Sequence, residues 1–182
     1  TFSDNYPGWI DVKHFQFLSE KEANRWMDGL GCENAIIRLI ETPWGKQRIV
    51  KGSYIPIIEG LDFNIGKDVF QFKEASMQVE SNSIYDTAKE YLNTPYLWGG
   101  KTPFGIDCSG LTQMVFRFFE INLPRDASQQ VEHGMEVPFN EIESGDVAFF
   151  HNKDGKIIHV GILDGLGSII HASGCVRIDS CT

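Results

Sequence analysis

The stretch DCSGLTQMVFRFFE, residues 107–120, decides how the chain is read. Leu111, Met114, Val115, Phe118 and Phe119 recur at helical spacing and predict the buried stripe of a helix that begins at Cys108. A loop rich in Gly and Pro, residues 94–105, delivers the chain to Asp107. Before that loop a helix is predicted over residues 83–92, with Ser83 as N-cap, Ile84, Ala88, Tyr91 and Leu92 on one face, and Pro95 as its end. After LPR (123–125) a short helix is predicted around residues 127–132. Strand-like runs then follow at 146–150, 157–163, 168–172 and 176–178, with Gly165 and Gly167 supplying a turn. Helices first and a strand meander second predict an α+β domain.

The N-terminal part has a different character. Short alternating or aliphatic runs at 35–40, 47–50 and 54–58 are punctuated by Pro43, Gly45, Gly52, Pro56 and Gly60, a spacing that fits a small barrel-like β module. The piece YPGWI (6–10) reads as the closing strand of another such module. The polar run KEASMQVESNS (73–83) lacks β periodicity and is read as a linker.

Composition narrows the function classes. A hydrophobic fraction of 42% with 23% charged residues is ordinary for a globular protein. No apolar run approaches the roughly 20 residues of a membrane-spanning helix. The net charge of −9 is uneven: residues 1–75 carry 9 Lys+Arg against 11 Asp+Glu, and residues 76–182 carry 7 against 14. A negative field disfavours nucleic acid as a partner and tolerates a small substrate with a free amine. The chain starts at Thr1 without signal-peptide character; an upstream segment is expected, with a cell-envelope or periplasmic address and the cytoplasm as the alternative. The four cysteines, Cys32, Cys108, Cys175 and Cys181, include no CxxC pair. Cys175 and Cys181 could pair with each other or remain inert thiols.

Cys108 sits in the first turn of its predicted helix, where unpaired N–H groups and a partial positive charge would stabilise a thiolate and lower its pKa. The same N–H groups suit the oxyanion formed when a thiolate attacks a carbonyl. A nucleophilic cysteine needs a base, and the base an orienting partner. His159 and His171 lie on two strand-like runs, 51 and 63 residues after Cys108. Adjacent antiparallel strands can bring them together. Against this stands the ordinary reading of a helix cysteine as core and a strand histidine as structural. A zinc site from Cys108, His159, His171 and Cys175 is weaker, because no close ligand pair anchors it.

Six pieces occur in order: YLWGG (96–100), DCSGL (107–111), LPR (123–125), GD (145–146), HVGI (159–162) and IHAS (170–173). Together they resemble the NlpC-type cell-wall cysteine peptidases, a branch of the papain-like fold, over about residues 84–180. The resemblance implies Cys108 as nucleophile, His159 as base and His171 as the third, polar member. It implies no cofactor and no metal. Within that family the chain resembles the YkfC-like γ-D-glutamyl-L-diamino acid endopeptidases, in which two bacterial SH3-like modules precede the peptidase. On that likeness residues 1–18 are the end of a first SH3-like module, 19–75 a second, 76–83 a linker and 84–182 the peptidase domain.

The resemblance also implies the substrate: peptidoglycan stem peptides, cut between γ-D-glutamate and meso-diaminopimelate or lysine, with a free N-terminal L-Ala, in wall-peptide recycling. Tyr6, Tyr96, Asp107 and Ser109 match the residues that close around that L-Ala, and Ser128 is expected to face the substrate. A carboxylate beside the nucleophile can pair with an α-ammonium, a contact worth about 1.5–3 kcal/mol. Asp107 is equally a natural helix N-cap, and Tyr6 an ordinary aromatic of a β module. Hydrolysis of intact wall, with the SH3-like modules as targeting domains, and non-catalytic wall binding are the alternatives.

Overall fold

The structure is a computed structural model that describes residues 6–27, 29–56, 60–73 and 83–181. By internal contacts the chain divides into two compact units, Gly8–Val79, and Glu80–Thr182 together with Thr1–Pro7. Most of the expected linker, 76–82, lies outside the described residues, as do residues 1–5 and the end of the predicted 54–58 strand.

The first unit opens with a helix that the strand reading did not anticipate, α1 (Glu20–Met27). Its start is written in SEKE: the Ser19 hydroxyl accepts from the Glu22 N–H while Glu22 accepts from the Ser19 N–H at 2.9 Å, a capping box. Strands β1 (Leu30–Cys32), β2 (Ile37–Thr42), β3 (Gly45–Val50), β4 (Tyr54–Pro56), β5 (Asp62–Ile65) and β6 (Asp68–Phe72) follow. They form an antiparallel sheet in the order β3-β2-β6-β5 and a separate β1-β4 pair. The expected barrel is therefore not closed. Among the described residues, three-residue β1 and β4 pair only with each other, and β6 meets β2 only at Ile40 and Glu41. Ile40, Phe70 and Phe72 form the core of this unit, and Phe63 stacks on Phe70 at 5.2 Å between centroids.

In the second unit α2 (Ile84–Lys89) starts where Ser83 caps it, its hydroxyl accepting from the Asp86 N–H at 3.0 Å. The Gly-Pro loop contains a two-residue ladder, β7 (Lys101–Thr102) with β8 (Gly105–Ile106). Then come α3 (Cys108–Arg117), α4 (Ala127–Gln130), and the strands β9 (Val147–His151), β10 (Ile157–Leu163), β11 (Ser168–Ser173) and β12 (Cys175–Ser180). The four strands form one antiparallel meander in chain order, as the runs of sequence predict.

Helix α3 packs on β10 and β11, and every residue from Cys108 to Phe116 is buried, including Thr112 and Gln113. It is thus buried all round and not striped. The polar pair is tolerated because both side chains are hydrogen-bonded: Thr112 donates to Gln130 at 2.7 Å, and Gln113 donates to the Leu123 carbonyl at 2.8 Å. Leu111, Val115, Ile162, Ile170, Ala172 and Val176 close the core between helix and sheet. Among the described residues no helix is long and apolar enough to cross a membrane.

Gly161 on β10 lets this packing close. A Cβ there would lie 2.6 Å from Ile169 Cδ1 and 2.9 Å from His171 Cβ, both on β11. Gly161→Ala is expected to force the strands apart and cost about 1–3 kcal/mol, read as a lowered urea midpoint at unchanged slope.

Candidate active site

The start of α3 is held by a buried carboxylate. Asp107 adopts extended backbone (φ −100°, ψ 177°), and its Oδ1 accepts from the Gly110 N–H at 2.7 Å as N-cap. Its Oδ2 accepts from the Gly99 N–H at 2.8 Å, tying the Gly-Pro loop to the helix. Arg125 grips both oxygens, Nη1 on Oδ1 at 3.0 Å and Nη2 on Oδ2 at 2.5 Å, and Nη1 also donates to Ser109 Oγ at 3.0 Å. Burial works against the Arg125 charge, but the hydrogen bond and charge of Asp107 outweigh it and hold its pKa above the usual value. One helical turn on, Gln130 Nε2 donates to the carbonyls of Ser109 and Pro124. The polar groups behind the first turn are thus bound to one another.

Cys108 is 8% exposed and packs against Ala127 and Val160. Its thiol pKa is raised, first by burial and then by the charge of Asp107; N–H groups of Ser109, Val160 and Cys108 itself pull the other way without overcoming them. This reverses the expectation of a lowered pKa. The helix-end N–H groups are present, but the sequence did not disclose how dry the site is.

His159 on β10 and His171 on β11 meet: His159 Nε2 lies 2.7 Å from His171 Nδ1. Burial and the neighbouring His171 lower the His159 pKa, in that order, so its ring stays neutral. Phe150 on β9 flanks the His159 ring at 5.8 Å between centroids. His171 Nε2 in turn lies 3.0 Å from Asp179 Oδ2 on β12. Because the Nε2 edge of His159 is taken, its Nδ1 is the atom left for Cys108. Among the described contacts no hydrogen bond joins thiol and ring. Such bonds often tighten only with substrate bound.

The other expected site residues belong to the same unit as Cys108. Tyr96 is near enough to Cys108 and Asp107 for their charges to add to burial in raising its phenol pKa. It therefore stays a hydrogen-bond donor. Ser109 is buried inside the Asp107–Arg125 cluster. Ser128 is exposed on α4, next to the Ala127 that packs on Cys108. Tyr6 groups with this unit, is 39% exposed and lies within electrostatic range of Arg125.

Arg125 and Asp179 are the residues that sequence reasoning missed. Arg125 was visible inside LPR, but its partner lies 18 residues away. Asp179 was visible only as the polar position of an alternating strand. Cys175 and Cys181 are free thiols. Cys175 opens β12 and Cys181 follows its last residue, roughly 20 Å apart along extended chain and beyond disulfide reach. Among the described residues no group of three or more His, Cys, Asp or Glu could hold a metal ion.

Two outcomes are expected from this geometry. Arg125→Ala leaves Asp107 buried without its cation and should cost about 3–5 kcal/mol in denaturant unfolding. In the free protein, alkylation of Cys108 by iodoacetamide should rise only above the ordinary thiol value of 9.0, while His159 stays unprotonated below the ordinary histidine value of 6.5. The pH–rate profile of alkylation and the acid limb of kcat/KM check both.

The pattern of the NlpC/P60 family matches residues 93–182, the stretch that carries Cys108, His159 and His171. Over 94 residues the chain is 39% identical to a gamma-D-glutamyl-L-lysine dipeptidyl-peptidase of Bacillus subtilis, covering 50% of this chain and 32% of that protein. The chain thus spans about a third of that relative's length. The NlpC/p60 domain of the peptidoglycan hydrolase SagA superposes with a TM-score of 0.50 at 33% identity, over 56% of this chain and 90% of that one. An NlpC/P60 family protein from Bacillus cereus superposes with a TM-score of 0.78 at 22% identity, over 96% of this chain and 65% of that one, a likeness of fold. Fold, ordered motifs and family match agree, and the chain belongs to the NlpC/P60 family of cysteine peptidases.

Proposed function

We propose that this protein hydrolyses the γ-D-glutamyl–diamino acid bond of peptidoglycan stem peptides that carry a free N-terminal L-Ala, in wall-peptide recycling. The observation that carries the reading is the His159–His171 contact of 2.7 Å on adjacent strands of the sheet that packs on the Cys108 helix. The Bacillus subtilis relative, named for γ-D-glutamyl-L-lysine cleavage, supports the bond. The substrate is small and bears a free amine, which suits the excess of Asp+Glu in residues 76–182. The cell envelope, where such peptides originate, is the proposed compartment.

In the proposed reaction Cys108 Sγ attacks the γ-carbonyl carbon of D-Glu as its proton passes to His159 Nδ1. A raised thiol and a lowered imidazole make a neutral resting pair, so this transfer accompanies the attack. N–H groups at the start of α3, with the protonated Tyr96 hydroxyl, meet the oxyanion. His159 then gives its proton to the departing diamino acid nitrogen as the C–N bond breaks, leaving a thioester on Cys108. Water, deprotonated by His159, attacks the thioester, and the proton returns to the sulfur.

Tyr6, Asp107 and Ser109 are proposed to bind the L-Ala end, and Ser128 to face the peptide. The Asp107 carboxylate already holds Arg125 and two N–H groups, so a substrate ammonium joins a neutralised pair and does not rescue a stranded charge. Its discrimination is therefore smaller than a bare carboxylate would give, roughly tenfold, or about 1.4 kcal/mol. We further propose that residues 19–75 are an SH3-like module and that residues 1–18 end a preceding one.

Incubation with L-Ala-γ-D-Glu-diaminopimelate, and with the lysine peptide, should release L-Ala-γ-D-Glu from wild type and none from Cys108→Ala. Equal release by both proteins would remove Cys108 as nucleophile. Acetylating the substrate amine should lower kcat/KM roughly tenfold; undiminished turnover would remove Tyr6 and Asp107 from substrate choice.

A further inference from the structure

Strand β12 carries two charged residues that the proposed reaction does not use. In the β11–β12 ladder His171 faces Arg177, and Ala172 faces Val176. Side chains alternate along a strand, so Arg177 and Asp179, two apart, share the face on which His171 stands, with Asp179 diagonal to the ring. The contacts follow that placement. His171 Nε2 lies 3.0 Å from Asp179 Oδ2, and the same oxygen accepts from Arg177 Nε at 3.0 Å and Nη2 at 2.8 Å.

We propose that Asp179, held by Arg177, is a positioning residue that sets the proton positions of the catalytic histidine pair; the proposal rests on the assignment of Cys108 and His159 above. An ionised carboxylate only accepts, so His171 must carry its proton on Nε2. A neutral imidazole has one donor and one acceptor nitrogen, so His171 Nδ1 becomes an acceptor. The 2.7 Å contact then requires His159 to donate from Nε2. His159 Nδ1 is left with the lone pair, available as the base of the proposed reaction. Asp179 therefore fixes, through two rings, which nitrogen acts as base. When His159 becomes an imidazolium, its Nε2 proton still points at an acceptor and the negative charge at the end of the chain favours the ion.

Other features agree. The Asp179 pKa is depressed, first by the His171 hydrogen bond and further by Arg177, which keeps the carboxylate ionised. Arg177 is the nearer neighbour in the ladder, and an unscreened guanidinium beside His171 would oppose a positive charge on the ring pair. By donating from Nε and Nη2 to Asp179 Oδ2, it reinforces the acceptor instead of competing for His171. Asp179 lies outside the packed core, its side chain 40% exposed, so its replacement leaves the hydrophobic contacts of α3 and the sheet intact.

The test compares wild type, Asp179→Ala and Asp179→Glu, the last restoring an acceptor on a longer arm. Ring 15N shifts of histidine-labelled protein, taken without substrate, read the tautomers directly. Wild type should show both His159 and His171 protonated on Nε2. Asp179→Ala should show His171 shifted wholly or partly to the Nδ1–H form. With the L-Ala-γ-D-Glu-diaminopimelate peptide, Asp179→Ala should lose about tenfold or more in kcat at little-changed KM, with partial recovery in Asp179→Glu. Retention of the Nε2–H form of His171 in Asp179→Ala overturns the proposal, as does a kcat within about twofold of wild type. A wild type that does not turn over this peptide, or does so without Cys108, defeats the functional reading instead; the tautomer shifts then decide the role of Asp179 alone.

Discussion

The buried ion pair of Asp107 and Arg125 is the interaction on which the catalytic unit turns. A carboxylate this dry is costly unless its lone pairs are filled, and here each oxygen has two strong partners. The partners come from three separate places: the Gly-Pro loop through Gly99, the first turn of α3 through Gly110, and the segment after α3 through Arg125. One side chain therefore ties together the loop before Cys108, the helix that bears it and the strap that follows it. The position of Cys108 is a consequence of satisfying its neighbour.

That arrangement has an electrostatic consequence for the thiol. The charge of Asp107 and the burial of Cys108 both favour the neutral thiol, against the N–H groups of the helix start. His159 is likewise held neutral by burial and by the adjacent ring. A site built this way stores no ion pair at rest. With both groups neutral, which ring nitrogen carries the lone pair matters, so the orientation of the histidine pair is more consequential than its basicity. The sheet supplies that orientation through the absence of a side chain at Gly161 and through the hydrogen bonds that run from β10 across β11 to β12.

Much of this was legible along the chain. The α+β order, the start of α3 at Cys108 and the four-strand meander follow from periodicity and turn residues, because local backbone preference and the burial pattern agree there. Where they disagreed, the reading failed. Helix α1 was passed over although Ser19 and Glu22 spell a capping box, since the surrounding runs suggested strands. The closed barrel was overstated, because alternation specifies a strand but not which edges pair. A striped α3 was expected from its apolar residues, yet Thr112 and Gln113 are as buried as Leu111, since their hydrogen-bond partners lie on distant segments.

By itself the sequence determined the family motifs: Cys108, His159 and His171 stand in pieces whose order and spacing are specific, and a cysteine at a helix start is a local feature. Only the tertiary structure decided the electrostatic state of these groups and who supports them. Arg125 reaches Asp107 across 18 residues, and Asp179 reaches His171 across a hairpin. Burial and through-space pairing set the direction of each pKa, and neither is a property of a residue's neighbours in the chain.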